Sequence, residues 1–329
     1  MSPQEFMHRH ESEWQALEAS LGAKAERDET ARLPARYRQV CQHLALARER
    51  HYPPALVERL NRLVVQAHHR LYESRKPLGG MASQFLLRDF PALVREHWKL
   101  FWLSALVFYG SFIAIAVAIW FHPSLIYSVA SAEQVHSYEQ MYDPARRVIG
   151  FERDNASDFL MFGYYIQHNI GIGFQTFAGG MLGGVGSLVI LLSNGIGIGA
   201  VAGHLTRIGY NETFWSFVCG HGAFELTAIV LCGMAGLLLG HAMIAPGNLR
   251  RADALRLKAR VAVQIIYGAT LFLIIAAMLE AFWSSSTAIP PPVKYAVATL
   301  LWGGVTLYFL RTGKIRDTEK KPGETRAAR

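Results

Sequence analysis

Apolar positions follow two regimes that meet near residue 100. Ahead of that point they recur at helical spacing among charged residues. Phe6, His10, Trp14, Leu17 and Leu21 share one face, and Tyr37, Val40 and Leu44 form a second stripe after Pro34. Leu56, Leu60, Leu63, Ala67 and Leu71 form a third behind Pro53-Pro54. Steps of three and four mark amphipathic helices, and proline suits a helix's first turn. Met81 to Lys99 mixes Phe85, Leu86, Phe90, Leu93 and Val94 with Arg88, Asp89, Arg95 and Glu96, which predicts an amphipathic helix lying on the inner leaflet.

Beyond residue 100 the apolar runs become long enough to cross a bilayer, which takes roughly 20 residues. Leu100 to Phe121 is one run, with Trp98 and Lys99 as anchors and His122-Pro123 as the stop. Phe159 to Leu205 is about twice the length of one span, so it reads as two, turning near Gly179-Gly180-Met181-Leu182-Gly183-Gly184. Phe214 to Gly240, Val261 to Trp283 and the shorter Tyr295 to Leu310 complete six. The expected fold is all-α: a polytopic membrane protein with a cytoplasmic helical domain at 1–99, including the interfacial helix near 81–99. A six-span domain follows at 100–310 with an outward segment at 122–158, and a basic cytoplasmic tail at 311–329.

Charge supports this count. All 33 Lys and Arg fall outside the six runs, and of the 25 Asp and Glu only Glu225 and Glu280 fall inside them. The loop at 241–260 and the tail at 311–329 are strongly basic, while 122–158 is acidic on balance. With six spans both basic segments face the cytoplasm, as the positive-inside rule asks, and both termini are cytoplasmic. A single span over 159–205 puts the 241–260 loop outside. The charge-studded first 99 residues hold no apolar core for a cleavable signal peptide. At 51% hydrophobic and 18% charged, the composition excludes a disordered chain, and three cysteines make no disulfide framework. Acidic residues balance the N-terminal bases closely enough to exclude a nucleic-acid module.

Of the 29 glycines, 18 lie between Gly163 and Gly240, with four-residue spacings such as Gly195/Gly199/Gly203 and Gly236/Gly240. Such spacing lets helix backbones approach closely in a membrane. The run Gly195-Ile196-Gly197-Ile198-Gly199 lacks the Lys-Ser/Thr of a phosphate loop. Polar groups inside the spans are the candidate site residues: His168 and Asn169 in span two, Asn194 in span three, His221 and Glu225 in span four, and Glu280 in span five. Ionisable groups in hydrocarbon face a bundle interior or a wet cavity. His221 and Glu225, four apart, share a helix face, whereas Glu280 lies near enough to the outer end to reach water. The expected arrangement is a hydrogen-bond cluster joining spans two, three and four. A proton or solute pathway is a second reading. A metal site with His168 or His204 as third ligand is a third, so no metal or cofactor is assigned. No catalytic motif is present, and the chain reads as non-enzymatic. Cys219 and Cys232 read as small packing residues, and Cys41 as a free thiol.

Several short runs carry a family resemblance. They are Leu60-Asn61, Ala67-His68 and Leu71-Tyr72, then Tyr164-Tyr165-Ile166 with His168-Asn169, Phe177-Ala178-Gly179-Gly180 and Asn194-Gly195. Gly220-His221-Gly222 with Glu225, and Ala277 with Glu280-Ala281-Phe282, complete the set. In these the chain resembles the stage II sporulation protein M family of bacterial inner-membrane proteins. The resemblance marks Asn169, Asn194, His221, Glu225 and Glu280 as family-motif positions without an assigned chemistry. The namesake is a membrane anchor that gathers cell-wall-degrading partners during engulfment, and other members occur near genes for MoxR-type ATPases. The cytoplasmic helical domain of about 100 residues departs from the namesake, so the spore role is not carried over.

Two functions compete. One is a non-enzymatic scaffold or anchor for an envelope-associated complex in the inner membrane. Its partners would be lipids, other membrane or envelope proteins, a MoxR-type ATPase system and a second copy of itself. The other is a transporter or channel using the polar cluster as a midplane site. A water-accessible cavity reaching His221 and Glu225 favours transport; tight packing around them favours the scaffold.

Overall fold

The computed structural model describes residues 1–21, 27–72, 78–145 and 155–312. Among them the chain is helical with no strand, and it divides into two compact units, Met1–Met81 and Ala82–Arg329. The basic tail from residue 313 and the outward stretch 146–154 lie outside the described residues.

The first unit packs α1 (Pro3–Leu21), α2 (Arg27–Glu49) and α3 (Pro54–Tyr72) around one core. That core holds the three stripes read from the sequence, with Trp14, Leu17 and Leu60 wholly buried. α2 starts ahead of Pro34 and carries it inside the helix. At one edge of the core, Trp14 Nε1 donates to His43 Nδ1 at 3.1 Å, and Glu13 Oε2 lies 3.7 Å from His43 Nε2. The His10 and His43 rings meet at a tilt of 39° with centroids 4.0 Å apart. Burial and the neighbouring His10 hold the His43 pKa below the usual histidine value, against the pull of Glu13.

The second unit is entered through α4 (Leu78–Gln84), a π-helical turn at Phe85–Asp89 and α5 (Phe90–Glu96). The sequence predicts a flat interfacial helix belonging with the N-terminal domain. Instead, residues 82–99 belong to the membrane-spanning unit and are anchored in it. Phe90 is fully buried among Phe272, Tyr308 and Phe309, in space that Gly268 leaves by having no side chain. Arg95 donates to the Phe309 carbonyl at 2.7 Å. A wholly buried phenylalanine with a charge-assisted bond beside it docks the segment on the bundle.

The long helices of this unit follow as α6 (Trp98–Phe121), α9 (Asn155–Ala178), α10 (Val185–Arg207), α11 (Asn211–Ile244), α12 (Arg251–Met278) and α13 (Pro291–Arg311). Between α6 and α9 stand the short α7 (Ile126–Val129) and α8 (Ala132–Tyr142), the latter started by a Ser131–Gln134 capping box. Five of the helices are long and apolar enough to cross a membrane. The expected sixth, α9, has 24 residues and the needed length, but Gln167, His168, Asn169 and Gln175 make it too polar to count with the others. It turns into α10 at Gly179–Gly184, as the glycine run predicts, with Gly183 and Gly184 at positive φ.

α11 is the axis of the bundle, touching α6, α9, α10, α12 and α13. It is apolar all round and rich in glycine and alanine, the composition of a helix surrounded on every side. The exposed apolar side chains of α6, including Trp102, Leu106, Ile113 and Phe121, form its outer, lipid-type face. The predicted glycine contacts hold the helices together. Gly195, Gly199 and Gly203 lie against the backbone of α6 at Phe108, Phe112 and Ala116, and Gly236 and Gly240 lie against the α9–α10 turn. A Cβ on Gly203 would stand 2.7 Å from the Ala116 Cα, where only backbone could give way.

Candidate functional site

α9 and α10 touch at their turn, where a Cβ on Gly179 would stand 2.7 Å from the Gly186 backbone. Farther along they line opposite sides of a cavity of about 480 Å³. Its residues on α9 run from Met161 to Asn169 and on α10 from Gly197 to Val201, so they begin about 15 Å from the turn at 1.5 Å per residue. α11 supplies Phe214 to Leu226, and Tyr138, Met141 and Tyr142 of α8 complete the lining at that end. Beyond Leu226 the α11 residues from Ala228 to Leu239 are buried almost without a break. The lining therefore lies toward the α8 end of these helices and stops short of the packed turn end.

His221, Glu225 and Glu280 converge in this cavity, with one ligand-type atom from each lying within 4.8 Å of the others. The helical step of four brings His221 Nε2 to 3.8 Å from Glu225 Oε2. Glu280 comes from α12's continuation, Leu279–Ser284, where the backbone runs as a π-helix. Such segments interrupt the regular helical turn and occur often at functional sites. The same segment carries Ser284, whose Oγ is 3.0 Å from His221 Nδ1. Its end is held by Lys294, a buried first-turn residue of α13, whose Nζ donates to the Ser284 carbonyl at 2.7 Å. Helix ends leave carbonyls without intrahelical partners, and this lysine satisfies one of them.

Two glycines shape the lining. A Cβ on Gly197 would meet nothing within 4 Å, and one on Gly222 would meet only side chains at 3.9–4.0 Å. Unlike Gly203, they do no packing; their missing side chains leave room inside the cavity. Asn169 of α9 is buried in the same lining, and its Nδ2 finds no hydrogen-bond partner among the described residues. A buried amide donor left unmade is costly, so its presence in a polar cavity has a purpose to be explained.

The sequence-predicted residues divide. His221, Glu225, Asn169, His168 and Glu280 line one cavity, so Glu280 joins the cluster instead of standing apart near the bundle's end. Asn194 does not join it: its Nδ2 donates to the Ile190 carbonyl of its own helix at 2.8 Å. His204 is drawn elsewhere, with its Nε2 2.8 Å from Glu139 of α8. His168 lies parallel to the Tyr164 ring at 5.7 Å. Neither histidine therefore completes the triad with His221 and Glu225; Glu280 does. Sequence reasoning missed Ser284 and Lys294, because the apolar run ends at Trp283 and both then read as loop residues.

Among known proteins, no curated sequence and no solved structure matches this chain. A sequence model described as "Domain of unknown function (DUF8413)" matches residues 4–73, which cover the first unit's three helices and the Leu60 to Tyr72 motifs. The model for Stage II sporulation protein M matches residues 104–285, more than half of the chain and every motif position of the cavity. With that match and its long apolar helices, the chain belongs to the stage II sporulation protein M family and is a multi-pass integral membrane protein.

Proposed function

We propose that the membrane bundle binds a small cationic solute in its polar cavity and works as a transporter-type protein, captured with one end open. The observation that carries this reading is the cavity's reach to His221, Glu225 and Glu280, where tight packing was the scaffold's expectation. A pocket near mid-helix, floored by packed helices and built partly on an interrupted helix, suits a solute site seen from one side. Two carboxylates and an imidazole select positive charge. In the orientation adopted here both termini are cytoplasmic in a bacterial inner membrane, because the basic 241–260 loop then faces inward, and the cavity opens outward.

The test is uptake by proteoliposomes holding the full chain and loaded with dyes for protons, sodium or zinc. Wild type should accumulate at least one of these above empty liposomes, and Gly222→Leu, which fills the cavity without meeting backbone, should not. No accumulation of any of the three would contradict transport.

The scaffold reading keeps one supporting observation: the first unit has its own core and matches a separate sequence model, as a docking module for partner proteins would. Co-purification of the full chain from native membranes, with mass spectrometry of what accompanies it, tests that reading. A stoichiometric envelope protein or ATPase supports it, and none at stoichiometric level opposes it.

A further inference from the structure

We propose that His221, Glu225 and Glu280 form a binding site for one divalent transition-metal cation of the Zn²⁺ type, entered through the cavity. This inference rests on the transport reading for its purpose but not for its chemistry.

The donor set is one imidazole nitrogen and two carboxylate oxygens, with the ligand-type atoms within 4.8 Å of one another. Zinc-type ions bond such atoms at about 2.0–2.1 Å, which puts neighbouring tetrahedral ligands about 3.3 Å apart. The His221 Nε2 to Glu225 Oε2 separation is already 3.8 Å, and the Glu280 carboxylate lies within 4.8 Å of both, so closing the triad takes shifts of about 0.5–1.5 Å. Hard cations such as Mg²⁺ and Ca²⁺ prefer all-oxygen shells, whereas imidazole beside carboxylate suits Zn²⁺, Mn²⁺ or Fe²⁺. Charge points the same way. Two carboxylates brought together in a membrane interior are relieved by a shared proton or by a cation, and a divalent ion satisfies both at once.

Two surrounding features fit a cation. Ser284 accepts from His221 when the proton is on Nδ1, which leaves Nε2 with its lone pair free on the Glu225 side. Metal-bound histidines are oriented by such a bond on their second nitrogen. The orphaned Asn169 Nδ2 lies on the wall of the same cavity and needs an acceptor. A three-ligand ion keeps an open position for water or hydroxide, and a hydroxide oxygen there would be such an acceptor.

The other triad among the described residues, His10, Glu13 and His43, lacks these features. Trp14 already occupies His43 Nδ1, and His10 and Glu13 are paired at 3.1 Å. It serves as the internal control.

The experiment is zinc titration of the purified, chelator-stripped full chain against a chromophoric competitor. Wild type should bind one Zn²⁺ tightly, Glu225→Gln and Glu280→Gln should each weaken it at least tenfold, and His43→Gln should leave it unchanged. No tight binding, wild-type affinity in the cavity variants, or loss in His43→Gln alone would overturn the proposal. Should the cavity variants fail to fold, carbethoxylation of His221 in wild type, read by mass spectrometry, replaces them. Zn²⁺ but not Mg²⁺ should slow it severalfold; an unchanged rate would overturn the site. Zinc binding without uptake keeps the site and removes the transport reading, while proton or sodium uptake by a chain that binds no zinc does the reverse.

Discussion

His221 and Ser284, 63 positions apart in the sequence, meet at 3.0 Å between the imidazole Nδ1 and the hydroxyl oxygen. The contact joins α11 to the π-helical end of α12 and fixes which imidazole nitrogen is left for the cavity. Ser284→Ala should therefore free the ring without emptying the site. The expected result is a modest fall in stability, about 0.5–1.5 kcal/mol for one lost hydrogen bond. Ser284→Thr should retain the bond. Melting curves of both variants in detergent check this, and equal midpoints for Ala and wild type would show the contact to be idle.

Glu225 separates structure from function. Glu225→Gln keeps shape and hydrogen bonding, so the fold should survive with its melting midpoint nearly unchanged. Glu225→Leu leaves buried partners without an acceptor and should lose about 1–3 kcal/mol. Uptake should fail in both. A stable and fully active Glu225→Gln would mean that the carboxylate charge is not used.

Glycines of the bundle should split by location. Gly199→Leu and Gly203→Leu press into the α6 backbone and should lower stability by about 1–3 kcal/mol or more, as overpacking does. Gly222→Ala, facing open space, should shift the melting midpoint little. The comparison is made on detergent-solubilised full chain; equal losses at Gly203 and Gly222 would contradict the assigned contacts.

The first unit carries a pH dependence of known sign. A fragment of residues 1–77 should be soluble, helical by circular dichroism and cooperatively unfolded by urea. Since the folded His43 pKa lies below its unfolded value, the unfolded chain binds more protons. The His43 contribution therefore leaves stability flat above about pH 7 and lowers it as pH falls through 6.5 toward the depressed pKa. Comparing the urea midpoints of wild type and His43→Gln between pH 5.5 and 7.5 isolates it. The gap between the two proteins should shift with pH, and a constant gap would exclude His43 as the cause.

Topology is tested by thiol labelling in intact cells, on a background lacking Cys41, Cys219 and Cys232. Ser137 on α8 is exposed and its cysteine variant should react with an impermeant reagent, whereas Ala252 in the basic first turn of α12 is exposed and its cysteine variant should not. Its neighbour Ala254 is buried and would report packing instead of sidedness. Labelling of Ala252→Cys from outside would reverse the orientation.

The parts legible in the sequence are those set by strong periodicity. The Leu56 to Ala67 stripe gave the first unit's core, and the glycine run gave the α9–α10 turn. The step of four gave the His221–Glu225 pair. Glu280 was harder, because the π-helical turn beneath it departs from the regular period on which a helical face is drawn. Lys294 hid behind its charge: a lysine after an apolar run reads as loop, though here it closes the end of a helical segment. Asn194 misled in the other direction, since an amide can satisfy itself on the Ile190 carbonyl one turn back. α9 shows the limit of apolarity as a guide, for two of the residues that weaken its membrane signal, His168 and Asn169, line the cavity.

The central claim is a water-accessible cavity closed at one end. Its most direct test is Val201→Cys on the cavity wall beside Ala235→Cys in the packed α11, both in the cysteine-less background. The account predicts that an aqueous thiol reagent modifies Val201→Cys readily, that filling the cavity with Gly222→Leu slows this at least tenfold, and that Ala235→Cys stays inert. A Val201→Cys as unreactive as Ala235→Cys would contradict it.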